Sequence, residues 1–429
     1  MRCRTLTAWL IVLVAIAAHA RGENWPQWRG PAGDGVSKET GLPIAWNANL
    51  ALRWKTKLPE FGSSTPAVWG DAIFLTSQQD EKLLLLRIDK DSGRIVWTRE
   101  VGSAKAARQG PKRGQQKFNR WHNMASPSPV TDGKHVVVHF GNGELASYDF
   151  DGQKLWSHNL QKDYGRYTIW WGHANSPVIH KNLVISVCMQ DSIADLVDKP
   201  AASYLVAHDL VSGQVKWKQM RMTKAKAEEC DSYTTPVFRK TARRTEMIVM
   251  GGNQVDAYDP ATGKQLWYLP GIVGGRTITG PTVAHGMVYV TRGMRGALLA
   301  LRPAEDGERS RRDIAWRATQ GTPDSCTPVV WRDLLLSVTD DGIARCFDAH
   351  NGKLHWKERL KGKYKASPLA AEGRIYFLNT DGLCTVVAAA TRFHKLTENR
   401  LDDTTLASPA VSDGNLLIRG KKYLYCIRK

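Results

Sequence analysis

Short apolar runs recur along this chain, each bounded by turn residues; Val136-Val137-Val138 and Met287-Val288-Tyr289-Val290 are examples. Runs this short, rich in β-branched and aromatic residues and flanked by Gly, Asp or Asn, predict buried strands. Each sits inside a longer grammar. A small residue and a proline open the unit, and a short strand leads to a turn such as Thr131-Asp132-Gly133. The apolar strand follows, then a second turn such as Gly141-Asn142-Gly143 or Asp340-Asp341-Gly342. A third strand ends in Asp, as in Arg345-Cys346-Phe347-Asp348, and a glycine turn leads to a fourth strand carrying tryptophan.

The openings are Thr65-Pro66, Ser128-Pro129, Ser176-Pro177, Thr235-Pro236, Gly280-Pro281, Thr327-Pro328, Ser367-Pro368 and Ser408-Pro409. Their spacings are 63, 48, 59, 45, 47, 40 and 41 residues. A β-type repeat of about 40–50 residues predicts a propeller. The expected fold is therefore an all-β, eight-bladed β-propeller with four antiparallel strands per blade.

The last link of each unit has a fixed spacing. Gly93 precedes Trp97 as Gly152 precedes Trp156, Gly213 Trp217, Gly263 Trp267 and Gly352 Trp356. Glycine tolerates the positive φ of a tight hairpin, and the preceding Asp can bond turn backbone. The indole buries a large ring between blades and can donate to a carbonyl. Trp316 takes the role in the fifth unit, whereas Thr397 stands there in the seventh. The eighth unit ends after Tyr425-Cys426-Ile427 without a fourth strand. Leu52-Arg53-Trp54-Lys55-Thr56, ahead of the first opening, matches the missing piece. The N-terminal strand should thus complete the last blade, which removes a free sheet edge.

Residues 1–20 read as a signal peptide. Arg2 and Arg4 precede an apolar run from Ala8 to Ala18, and Ala18-His19-Ala20 offers a cleavage site. The run is too short to span a bilayer, and no later segment approaches the ~20 apolar residues that spanning needs. The expected mature protein is exported, periplasmic or extracellular, monomeric and without a transmembrane anchor. Residues 21–50 form a lead segment and residues 51–429 a single propeller.

The formal charge of +19 falls by two when Arg2 and Arg4 leave. The remaining excess favours acidic partners, and export disfavours nucleic acid among them. Six cysteines follow the leader: Cys188, Cys230, Cys326, Cys346, Cys384 and Cys426. Cys346, Cys384 and Cys426 occupy the same strand in three successive repeats, which suits small buried residues better than disulfides. Cys230 and Cys326 each lie just before a first strand and can approach one another.

The run Ala257-Tyr258-Asp259-Pro260-Ala261-Thr262-Gly263-Lys264-Gln265-Leu266-Trp267 resembles the repeat of the pyrroloquinoline-quinone (PQQ)-like, or quinoprotein alcohol dehydrogenase-like, propeller family. Asn24-Trp25-Pro26-Gln27-Trp28-Arg29-Gly30-Pro31 is similar to the start of exported, planctomycete-type members. Some relatives are similar to the outer-membrane assembly factor BamB, others to quinoprotein dehydrogenases. The dehydrogenase resemblance implies PQQ under a vicinal disulfide, with calcium held by Glu and Asn and an Asp as base. No Cys-Cys pair occurs here, so no cofactor is expected. Cys346-Phe347-Asp348-Ala349-His350 is not a haem site, and Gly-x-Ser-x-Gly and His-Glu-x-x-His are absent. No catalytic residue carries over. A BamB-like reading implies a binding or scaffolding protein, although Cys3 precedes the apolar run and cannot be a lipidation site.

Candidate ligand residues come from segments just before the openings, which should ring one channel mouth. Val101 to Thr131 has no acid but carries Lys105, Arg108, Lys112, Arg113, Lys117 and Arg120, then Trp121 and His122. Arg166, Tyr167, Trp170, Trp171 and His173 follow before the third opening, and Tyr233, Arg276, Asp324 and Lys365 before later ones. Convergence would make a cationic, aromatic-lined funnel suited to a carbohydrate or anionic ligand. His122 and His173 could meet near the axis, but without a carboxylate they give no metal site.

Overall fold

The computed structural model describes residues 22–47, 50–105, 109–110, 114–115, 120–169, 171–190, 202–272, 274–292, 296–303 and 306–429. The signal-peptide expectation and Trp170 lie outside them. Eight antiparallel sheets follow one another around a ring, each a four-stranded meander. Blade 1 comprises Ala67–Trp69, Ala72–Gln79, Lys82–Asp89 and Ile95–Ser103. Blade 8 has Ala410–Ser412, Asn415–Arg419 and Tyr423–Ile427, and Leu52–Lys57 supplies its outer strand, with Trp54 opposite Cys426. The ring closes as expected.

Second strands are continuous apolar runs because a blade is covered on both faces by its neighbours. Val136, Val137 and Val138 are all fully buried. The core is accordingly a set of seams: Phe74, Leu85 and Trp97 of blade 1 pack with Val136, Val138 and Tyr148 of blade 2.

Six of the eight seams share one device. The indole N–H of Trp97 donates to Phe150 O at 2.9 Å, Trp156 to Leu210 O at 3.0 Å, and Trp356 to Ala390 O at 2.9 Å, each in the next blade. Trp54, Trp217 and Trp316 do the same to Lys90, Pro260 and Ala349. The receiving turn lies so close that its glycine cannot be replaced. A Cβ on Gly213, at φ 73°, would stand 2.6 Å from Cγ of Trp156. Trp267 departs from the rule. In blade 5 the link to the fourth strand leaves its sheet, and Gly307–Glu308 pairs in parallel with Gln265–Leu269 of blade 4. The usual turn is absent there, and Trp267 donates to Glu246 Oε2 at 3.1 Å instead.

The structure explains why a hydroxyl residue precedes the openings' prolines. The N–H of Thr65 donates to Ser128 Oγ at 2.9 Å, Ser128 to Ser176 Oγ at 2.9 Å, and Ser176 to Thr235 Oγ1 at 3.2 Å. Gly280 donates to Thr327 Oγ1 at 2.8 Å, Thr327 to Ser367 Oγ at 3.0 Å, and Ser367 to Ser408 Oγ at 3.1 Å. This girdle links neighbouring blades around the channel and satisfies backbone donors that have no strand partner. It skips the step from Thr235 to Gly280, which has no side chain to offer, and between blades 8 and 1 the Thr65 hydroxyl donates to Ser408 O at 3.3 Å instead.

The lead segment crosses the channel. Trp25 pairs with Val68 of blade 1, and Pro26 O accepts from Thr131 N of blade 2 at 2.9 Å. Arg29, fully buried, donates to Thr282 Oγ1 at 3.2 Å and to Pro328 O at 2.6 Å in blades 5 and 6. Val36–Ser37 lies parallel to the innermost strand of blade 7, and Glu39 accepts from Asp413 and Gly414 of blade 8. Most of these contacts sit on the innermost strands or the turns after them, with Arg29 reaching the Pro328 carbonyl just ahead of one, so the lead runs along the inner strands of the ring.

All six cysteines among the described residues are free and buried. Cys346, Cys384 and Cys426 lie on the third strands of blades 6, 7 and 8, with Cys346 opposite Leu336 and Cys426 opposite Leu417. Among the described residues, no helix is long and apolar enough to cross a membrane.

Candidate functional site at the channel mouth

All innermost strands start at one face, so the segments preceding them surround one mouth. They line a cavity of about 380 Å³ to which every blade contributes. Ser63 comes from blade 1, Trp121, His122 and Ser126 from blade 2, and Trp171 and Ala174 from blade 3. Tyr233 comes from blade 4, Arg276 and Ile278 from blade 5, Ser325 from blade 6, Lys365 from blade 7 and Leu406 from blade 8. The volume falls in the range of about 300–1,000 Å³ usual for small-ligand pockets.

The walls are held by bonds between blades. His122 Nε2 donates to the Trp171 carbonyl at 2.5 Å, and its Nδ1 faces Ser126 Oγ at 3.2 Å. Ser63 Oγ meets Ser126 Oγ at 2.9 Å. Burial lowers the pKa of His122 below its usual range, so the ring is neutral near pH 7. The Arg120 guanidinium lies 4.4 Å from the Trp121 ring centroid and covers one of its faces.

The charges here differ from a simple cationic funnel. Arg276 pairs with Asp324 at 3.2 Å. Lys365 Nζ reaches Asp340 Oδ2 at 2.5 Å and Ser325 Oγ at 3.0 Å, while Ser325 donates to Asp340 at 2.7 Å. Tyr233 donates to Asp231 at 3.2 Å. Both described cations on the cavity wall thus carry a carboxylate partner, and the wall offers donors and acceptors side by side. Asp340 was not among the sequence candidates, because it lies in the second hairpin of blade 6. That hairpin returns to the face where first strands begin, and this topology was the available signal.

Of the sequence candidates, Trp121, His122, Trp171, Tyr233, Arg276 and Lys365 line the cavity, with Asp324 behind Arg276. Arg166 is exposed and not on its wall. Tyr167 and His173 turn into the seam between blades 2 and 3, where apolar neighbours bury them. Tyr167 Oη lies 3.1 Å from His139 Nε2 and 3.5 Å from Cys188 Sγ, and His173 Nε2 lies 3.2 Å from His139 Nδ1. His122 and His173 therefore do not face one another across the axis.

This buried histidine group makes stability depend on pH. Burial pushes His173 down from 6.5 to about 3 and His208 to about 4, and it holds His139 well below 6.5. Above pH ~6.5 both folded and unfolded chains keep these rings neutral. Below it the unfolded chain binds protons that the folded chain refuses, so stability falls as pH drops towards 4. Urea midpoints should therefore decrease from pH 7 to pH 4.5. The loss should be shallower in a His139→Gln/His173→Gln variant, and an equal slope would remove these rings as its cause.

A quinone cofactor does not fit the cavity wall. Among the described residues, none on its lining is cysteine or glutamate, and Asp324 and Asp340 are engaged by Arg276 and Lys365. Burial also raises the thiol pKa of Cys188 to about 11 and of Cys346 and Cys426 to about 12, so these are inert core residues.

A family model described as outer membrane protein assembly factor BamB matches residues 36–194, 201–327 and 295–421. Among solved structures, BamB from Moraxella catarrhalis superposes with a TM-score of 0.58 at 13% identity, covering 88% of this chain and 99% of that one. Quinohemoprotein alcohol dehydrogenase from Comamonas testosteroni gives a TM-score of 0.67 at 13% identity, covering 96% and 81%. A europium-containing methanol dehydrogenase gives 0.61 at 11% identity, covering 92% and 89%. No curated protein sequence matches the chain. At such identities the structures share a fold and nothing finer. The family match spans most of the chain and coincides with its eight sheets, and the chain belongs to the BamB-type family of PQQ-like β-propellers.

Proposed function

We propose that this chain is an exported, non-catalytic binding propeller whose channel mouth takes a hydroxyl-rich group, the end of a carbohydrate. The observation that carries the reading is the cavity wall itself, which combines aromatic residues with internally paired charges. Trp121, Trp171 and Tyr233 supply faces on which a sugar ring can stack. The Arg276–Asp324 and Lys365–Asp340 pairs present fixed donors beside fixed acceptors, which suits hydroxyls. A free anion would have to compete with both carboxylates, so the pairing favours a neutral ligand over an anionic one.

The leader-like residues 1–20 support export, and the family description supports a protein-facing role for the outer surface. A glycan array probed with the purified protein should give a signal that a Trp121→Ala/Trp171→Ala/Arg276→Ala variant loses. Binding that survives in a folded variant would defeat the site. Incubation with PQQ and calcium should leave no bound chromophore and no dye reduction; a stable chromophore would overturn the non-catalytic reading.

A further inference from the structure

We propose that His285, Asp333 and His350 bind a borderline divalent cation such as zinc, on the face opposite the cavity, where the ion ties blade 5 to blade 6. His285 lies in the hairpin between Thr282–Ala284 and Met287–Thr291, and Asp333 in the same hairpin of blade 6. His350 lies in the third hairpin of blade 6, after Ile343–Asp348. One ligand atom from each side chain falls within 4.8 Å of the other two.

The backbone holds this arrangement. The Ala349 N–H donates to Asp333 O at 2.8 Å, which fastens the two hairpins of blade 6 together. His285 sits at φ 52°, a turn conformation that fixes its direction, and its Nε2 donates to Arg332 O at 2.8 Å across the blade boundary. Its Nδ1 has no such bond. His350 Nε2 meets Asp333 Oδ1 at 2.9 Å, and the two imidazole rings lie 4.4 Å apart. Asp333 occupies a turn position where blades 5, 7 and 8 carry Gly286, Gly373 and Gly414.

A cation placed between the two rings and the carboxylate would satisfy all three side chains at once. An N₂O donor set with exposed positions left for water suits zinc and its neighbours rather than calcium or magnesium. Arg332, which acts electrostatically on Asp333, opposes the ion and should keep the affinity below that of a buried zinc site. Nothing in the channel-mouth reading depends on this site.

Untagged protein, stripped with a chelator, should be titrated with Co²⁺ while visible absorbance is followed, with Zn²⁺ as competitor. One equivalent should bind. His285→Ala and His350→Ala should each weaken binding about tenfold or more. Zinc should raise the Tm of the wild-type chain and leave that of either variant unchanged. Absence of a cobalt spectrum in the wild-type chain, or equal affinity in both variants, would overturn the proposal. The residues are exposed, so the variants should fold, and circular dichroism checks this.

Discussion

Replacing Arg221 with alanine should destabilise the propeller by about 3–5 kcal/mol, the cost of leaving a buried charge without its partner. Arg221 ends the outer strand of blade 3 and pairs with Asp256 on the third strand of blade 4, with side chains only 1% and 0% exposed. Its Nε donates to Asp256 Oδ2 at 3.0 Å, and its Nη2 reaches Gly251 O at 2.7 Å and Gln254 O at 3.1 Å. Asp256 Oδ1 also accepts from Gln254 at 2.6 Å and Gln265 at 2.7 Å. Removing the guanidinium therefore strands a carboxylate in the seam and leaves two carbonyls short of a donor. Urea denaturation should show the loss. An Arg221→Met/Asp256→Leu variant should recover part of it, because the charge has gone while the glutamine donors have lost their acceptor. A single variant within about 1 kcal/mol of wild type would show that the seam relaxes and admits water.

Trp156→Ala should cost a similar amount, about 3–5 kcal/mol, as large aromatic deletions from a core do. The indole fills the seam between blades 2 and 3, lies stacked 6.0 Å from His208, and donates to Leu210 O. Gly213→Val attacks the same contact from the other side. It forces a β-branched residue to φ 73° and drives its Cβ into the indole. Both variants should unfold at lower urea, whereas exposed Arg166→Ala should shift stability by less than about 0.5 kcal/mol. If Trp156→Ala behaved like Arg166→Ala, the recurring tryptophan would not be the element that joins the blades.

Much of this was readable because the contacts recur. The separation from Gly93 to Trp97 is repeated around the ring, and four of its five copies bond the next blade in the same way. Leu52–Lys57 could be assigned to blade 8 because its tryptophan matched a vacancy at the other end of the chain. The small residue before each proline, a hydroxyl at all but Gly280, was visible as a pattern, though the purpose of the hydroxyl, accepting an N–H from the preceding blade, emerged only from the structure. Trp267 was read as one more copy; the added strand Gly307–Glu308, which accompanies its change of partner, occurs once in the ring and left no period to detect.

The candidate site was legible in outline and not in detail. Its residues were found by topology, since segments that precede innermost strands must share a mouth. Side-chain direction within a loop obeys no such rule. Tyr167 and His173 point into a seam while Trp171, between them in sequence, lines the cavity.

Local chemistry repeated at a regular interval is enough to set the number of blades, their order and the closure of the ring, because each depends on neighbours alone. The pairing of Arg276 with Asp324, of Lys365 with Asp340 and of Arg221 with Asp256 joins non-equivalent loops or strands at unrelated separations. So do the lead segment's path across the channel and the meeting of His285, Asp333 and His350. Such contacts arise once each, and only packing the whole chain into one ring brings them together.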